Sequence, residues 1–320
     1  RSGFSTTILA ADPESGGDIV YTLESGTLPA GTTLASQSSG CVISGNLTAV
    51  GSNTTSTFTI RAKDAASNVS DRIFTITVNA PVSQSFTSSG TFSVPSGIAS
   101  VDVLVVGGGG AGGSTYHGGG GGAGGLVYRP GFTVTPGGTV SVTVGNGGTY
   151  PSPASGDTPG TTAAQNAPGQ DSVFGTLTAK GGGRGGSNGN TAGSQSGGGS
   201  GGGEGQARGG AGPANQPTQS GESGNYGFGN PGGTTNPSGS WTSGAGGGGA
   251  GAAGGTVSQP GPGSASTGLS AGDGGVGKAY TIADGTTSVY YAGGGGGSAP
   301  RGPAASSGGQ GGGGGGYHVA

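Results

Sequence analysis

The sequence predicts an all-β protein, a β-sandwich over residues 1–80 followed by a β-scaffolded glycine-rich domain over residues 84–320. Three observations predict it. Strand-length stretches of alternating apolar and polar residues crowd the first segment. Later stretches of the same kind run straight into glycine. Glycine itself supplies 87 of the 320 residues, gathered in runs at Gly107 to Gly110, Gly118 to Gly122, Gly198 to Gly203, Gly246 to Gly249, Gly293 to Gly297 and Gly311 to Gly316.

In the first segment, Ile19 to Leu23, Cys41 to Ser44, Thr57 to Ala62 and Arg72 to Val78 carry the period of two that half-buried strands require. Turn signals at Gly16-Gly17, Pro29-Ala30-Gly31 and Ser67-Asn68 separate them, a spacing expected of an immunoglobulin-like sandwich. The Leu28-Pro29-Ala30-Gly31 corner, Ile43-Ser44-Gly45 and Ala62-Lys63-Asp64 resemble the bacterial Ig-like (cadherin/Ig-like) repeats. That resemblance implies a spacer or adhesive module.

After the short linker Asn79-Ala80-Pro81, strands are expected at Val101 to Val106, Val140 to Val144, Val173 to Ala179 and Val289 to Tyr291, each leading into glycine. SVPSGI, VVGGGGAGG, VSVTVG and YYAGGGGG resemble the glycine-rich domain of bacteriophage tail-fibre and structural proteins, a family also found in bacterial surface proteins. The resemblance implies a polyglycine sandwich. It further implies a virion location with other fibre subunits and a host glycan or outer-membrane protein as partners, in an oligomer. The alternatives are a bacterial extracellular fibre or surface adhesin, or a calcium-stabilised spacer.

Physics allows such an architecture. A left-handed helix with three residues per turn has no internal hydrogen bonds, so every N–H and C=O points sideways. Runs without Cβ atoms can approach closely enough to bond to one another, giving a polyglycine II lattice in place of an apolar core. The competing flexible coil is the usual behaviour of Gly/Ser tracts. Collagen is excluded, because runs such as Gly118 to Gly122 break its Gly-X-Y register.

Charged residues make up only 7% of the chain and the net charge is −3, which leaves no basic footprint for nucleic acid. The lone Cys41 permits no internal disulfide and reads as a buried strand residue. No apolar stretch reaches the roughly 20 residues of a membrane-spanning helix. No secretory leader is evident, and a chain opening on Arg1 with no methionine is expected to be a processed or partial product.

His117 and His318 have no nucleophile or metal-ligand partner at a recognisable spacing, and no enzyme is expected. Asp12, Glu14, Asp18 and Asp64 resemble the acidic turns of cadherin-like repeats, with calcium the cation such a set would take and a solvated turn the alternative. Tyr116, Tyr150, Tyr226, Phe228 and Trp241 stand between glycine tracts. Aromatics with Asn and Ser make adaptable contact surfaces, so these are the candidate receptor-binding residues. Capping of the lattice is the alternative for each of them. Ser187 is expected in a loop that tolerates substitution.

Overall fold

The computed structural model describes residues 3–12, 18–48, 50, 52–80, 82–113, 117–149, 166–187, 195–205, 210–235, 243–257, 270–299 and 306–316. The chain divides into two units, Arg1–Ser83 with Thr281–Thr287, and Gln84–Tyr280 with Ser288–Ala320.

The first unit is a sandwich of two antiparallel sheets. Strands β1 (Phe4–Ile8), β4 (Gly40–Gly45) and β3 (Thr32–Gln37) form one; β2 (Val20–Gly26), β5 (Thr54–Lys63) and β6 (Val69–Val78) form the other. Alternate residues of both meet in a core of Tyr21, Cys41, Ile43, Phe58 and Ile60, with Phe74 stacked on Phe58. The Leu-Pro-x-Gly corner behaves as its residues require. Leu28 packs on this core, Gly31 takes φ +85°, and the Thr32 N–H donates to the Pro29 carbonyl at 3.1 Å. A side chain at Gly31 would meet the Asn46 carbonyl at 2.0 Å. Burial pushes the Cys41 thiol up, as expected of an inert core residue.

The second unit is built on a β-scaffold. Strands β7 (Gly90–Ser93), β10 (Thr139–Thr143), β11 (Ser172–Phe174) and β12 (Leu177–Ala179) make one sheet. Strands β8 (Ser100–Val106), β9 (Leu126–Thr133) and the two-residue β13 (Gly227–Phe228) make another, and β14 (Lys278–Tyr280) pairs with β15 (Val289–Tyr291). The period of two along β8 and β9 serves two cores. Val103, Val105 and Val127 face Phe174 and Leu177, whereas Leu104, Val106, Leu126 and Tyr128 face Tyr280 and Tyr291. A single four-residue helix, α1 (Glu222–Asn225), interrupts this all-β arrangement among the described residues.

Glycine runs continue the scaffold, and their hydrogen bonds repeat every third residue. In the 118–125 run, Gly119, Gly122 and Gly125 donate to Gly186, Gly183 and Lys180 at 2.7–2.8 Å, an antiparallel register. Gly120 and Ala123 donate to Ala245 and Gly248, a parallel one. Three neighbours donate in return: Gly107, Gly110 and Gly113 to Gly125, Gly122 and Gly119; Gly203 and Ser200 to Gly120 and Ala123; Gly295 and Ser298 to Gly121 and Gly118. Only a helix with three residues per turn directs every third group at the same neighbour.

Close packing explains the composition. A Cβ on Gly119, Gly120, Gly122 or Gly201 would lie 2.1, 2.0, 2.3 or 1.7 Å from a neighbouring carbonyl oxygen. Each bond contributes roughly 0.5–1.5 kcal/mol net, against the roughly 0.5–1 kcal/mol of extra ordering cost that glycine carries relative to alanine. The two nearly cancel, so a run is stable only where almost every residue is bonded.

Candidate functional site

The runs alternate in direction relative to the scaffold, which sorts their ends. The 107–113 run leaves β8 and the 118–125 run returns to β9, while 180–187 leaves β12 and 292–299 leaves β15. At the ends remote from these strands, Gly113, Gly119, Gly186 and Gly203 are bonded in series, as are Gly244, Ser298 and Gly118. Glu204 bonds to Gly233 and Gly297 to Gly272 at the same level. The residues on which outward runs stop and returning runs start therefore gather at one end of the lattice, opposite the scaffold.

Side chains splice the lattice where glycine gives out. Gln216 is fully buried, accepting the Lys180 N–H at 2.7 Å and donating to the Thr178 and Ser223 carbonyls at 3.0 and 2.8 Å. Buried Glu204 accepts the N–H of Thr235 at 2.6 Å and of Gly210 at 3.1 Å. Asn230 donates to Gly249 at 2.9 Å. Sequence reasoning missed these residues, because Gln and Asn beside Gly and Pro read as loop; a lone carboxylate inside a glycine run was the available signal for Glu204.

The candidate aromatics fall into two groups. Tyr226 follows α1 and carries the Arg129 guanidinium 4.8 Å from its ring centre, and Phe228 lies in β13 with the Lys278 ammonium 4.1 Å from its ring. Both are half-buried and packed on the scaffold cores, at the end where the runs begin. Arg129 is held by Glu222 at 2.6 Å, which raises its pKa further. Tyr128 and Tyr280 stack beside them with centroids 4.5 Å apart, and burial pushes both phenols up. Tyr116, Tyr150 and Trp241 lie outside the described residues. In sequence they adjoin run ends: Tyr116 precedes His117, Tyr150 follows Thr149, and Trp241 falls between Thr235 and Ser243.

Of the acidic candidates, Asp64 holds a turn. Its two carboxylate oxygens accept the backbone N–H and side-chain amide of Asn68 at 2.7 and 2.8 Å. Asp12 is half-buried and Asp18 exposed, while Glu14 lies outside the described residues. Among the described residues no group of three or more His, Cys, Asp or Glu side chains is placed to hold a metal ion. Ser187 departs from its expected loop: it is 1% exposed and accepts the Asn166 side-chain amide at 3.2 Å. The Gly185-Gly186-Ser187 stretch is lattice, and the small hydroxyl fits where a larger side chain would not.

The fold thus defines an all-β protein whose larger unit is a backbone-bonded glycine lattice on a β-scaffold, of the structural or adhesive class. Residues 86–320 match the family model described as Glycine-rich domain, and the chain belongs to that family. Residues 1–79 match the model described as Putative Ig domain. No curated protein and no solved structure matches the chain.

Proposed function

We propose that the protein is a structural and adhesive component of a bacteriophage virion, a tail-fibre or host-attachment protein. In this reading the Ig-like unit is a spacer, and the glycine lattice is a rigid platform whose end remote from the scaffold recognises the host surface. The observation supporting it is the gathering of run ends at Gly113, Ser187, Gly205, Gly244 and Ser298. A rigid body that gathers several of its connections at one end concentrates variable sequence there, the arrangement binding proteins use. Tyr116, Tyr150 and Trp241 belong to those connections by sequence, and aromatics among Asn, Ser and Pro suit a glycan or outer-membrane protein. Tyr226 and Phe228, packed at the other end, serve the scaffold.

The test replaces Tyr116, Tyr150 and Trp241 by Ala together and measures adsorption to host cells beside thermal stability. Adsorption is expected to vanish at an unchanged Tm. A folded triple variant that adsorbs like the parent would overturn the assignment.

A further inference from the structure

The 118–125 run has one set of N–H groups that its described neighbours leave unbonded. Its donors fall into three classes by the threefold repeat. Those at 119, 122 and 125 bond to the 180–186 run, and those at 120 and 123 to the 245–248 run. The third class is Gly118, Gly121 and Gly124, for which no acceptor exists among the described residues. Beside it, on the flanking runs, the carbonyls of Gly110, Gly293 and Gly296 accept from no described residue either. Gly110, Gly121, Gly293 and Gly296 line one cavity of about 220 Å³, together with Gly312 to Gly315.

We propose that this groove receives an extended glycine-rich segment of a partner chain, adding one more polyglycine helix to the lattice. Two features select that occupant. The groove offers an N–H on one wall and carbonyls on two others, so the guest must accept and donate along its length, as a peptide backbone does and an anion does not. The unbonded Gly293 and Gly296 carbonyls in its lining lie three residues apart, which matches a threefold extended chain and not a β-strand. The existing neighbours of the same run also show what such a guest must lack. A Cβ on Gly247 would meet the Gly121 carbonyl of this run at 2.0 Å. The guest's inward residues must therefore be small, glycine wherever a Cβ would point at a carbonyl and at most serine or alanine elsewhere, as Ser200, Ala245 and Ser298 are among the existing neighbours. The inference stands apart from the attachment reading, since it concerns the flank of the lattice and not its remote end.

Hexaglycine is the probe, titrated into the full isotope-labelled chain while backbone amide resonances are followed. Saturable shifts confined to Gly110, Gly121, Gly293, Gly296 and the 312–315 stretch are expected, with slowed amide exchange at Gly121. Gly314→Leu supplies the control. Gly314 lines the cavity, is exposed, and a Cβ there meets nothing within 4 Å, so the fold is kept while leucine adds bulk at the groove's edge. The variant is expected to retain its Tm and lose the shifts. No shift in the parent at millimolar hexaglycine, or equal shifts in parent and Gly314→Leu, would overturn the proposal.

Discussion

The side-chain oxygen of Gln216 accepts the backbone N–H of Lys180 at 2.7 Å, standing where a neighbouring run would otherwise present a carbonyl. The same amide donates to Thr178 and Ser223, so one side chain does the work of a short piece of backbone. It also explains Gly125, whose added Cβ would lie 2.2 Å from that oxygen.

Gln216→Leu keeps the volume and removes three hydrogen bonds, leaving the Lys180 N–H and two carbonyls buried without partners. At roughly 1–3 kcal/mol per orphaned group, a loss of about 3 kcal/mol or more is expected. Denaturant unfolding monitored on the second unit checks it. A variant within about 0.5 kcal/mol of the parent, the usual range for surface substitutions, would show that water replaces the amide without penalty.

Glycines in the lattice are not equivalent, and the contacts rank them. A Cβ on Gly120 would lie 2.0 Å from the Gly295 oxygen and 2.8 Å from the Gly247 nitrogen, both backbone. On Gly295 the nearest atoms are the Gly121 nitrogen and oxygen at 3.2 and 3.3 Å. Gly120→Ala is expected to exceed the roughly 1–3 kcal/mol of ordinary overpacking, a Tm fall of about 6–12 °C at roughly 2–4 °C per kcal/mol. Gly295→Ala should cost a fraction of that, and Gly314→Ala almost nothing. Equal melting temperatures for the three would refute threefold packing as the reason for glycine.

The strands were legible because their signal is local. Val101 to Val106 and Arg72 to Val78 alternate, and they form β8 and the greater part of β6. Phe4–Ile8 and Thr32–Gln37 carry no clear strand signal, because their Thr and Ser residues dilute the alternation; pairing on both sides of β4 supplies what their sequences lack. The runs themselves were legible as lattice from glycine physics, but not their neighbours. Glycine carries no side chain to encode which run lies beside which, so the parallel partner of Gly120 at Ala245 left no trace in the sequence. Ser187 and Gln216 were lost for a related reason, since polar residues beside glycine look solvated until a backbone lattice surrounds them.

In the Ig-like unit the Arg61 guanidinium holds both oxygens of Asp71 across the strand pair at 2.8 Å and reaches Glu24 at 3.0 Å. The hydrogen bonds from Arg61 pull the Asp71 carboxyl below its ordinary value. A depressed folded-state pKa means that the stabilisation is present above the unfolded value of about 3.9 and is lost as pH falls through the folded one. The Tm difference between the parent and Asp71→Asn is thus expected to be largest near neutrality and to close below about pH 4. Because the pair is exposed, salt should shrink the difference too. A difference that persists at pH 2 would assign the effect to packing.

Amide exchange offers the sharpest reading of the threefold register. In the 118–125 run the donors at Gly119, Gly120, Gly122, Ala123 and Gly125 are paired with the 180–186 and 245–248 runs, whereas Gly121, on the groove, and Gly124 donate to no described residue. A protected, hydrogen-bonded N–H exchanges only through opening of the lattice, so the paired amides should exchange at rates set by unit-wide or sub-global unfolding. Gly121 and Gly124 should exchange faster than their immediate neighbours despite being just as buried by residue. The expected profile is a dip in protection at every third residue, a pattern that neither a β-strand nor a coil generates. A strand would give a period of two, and a coil would give uniform rapid exchange. Either outcome would remove the lattice and the groove together, while the dip with no response to hexaglycine would leave the lattice standing and remove the groove's partner alone.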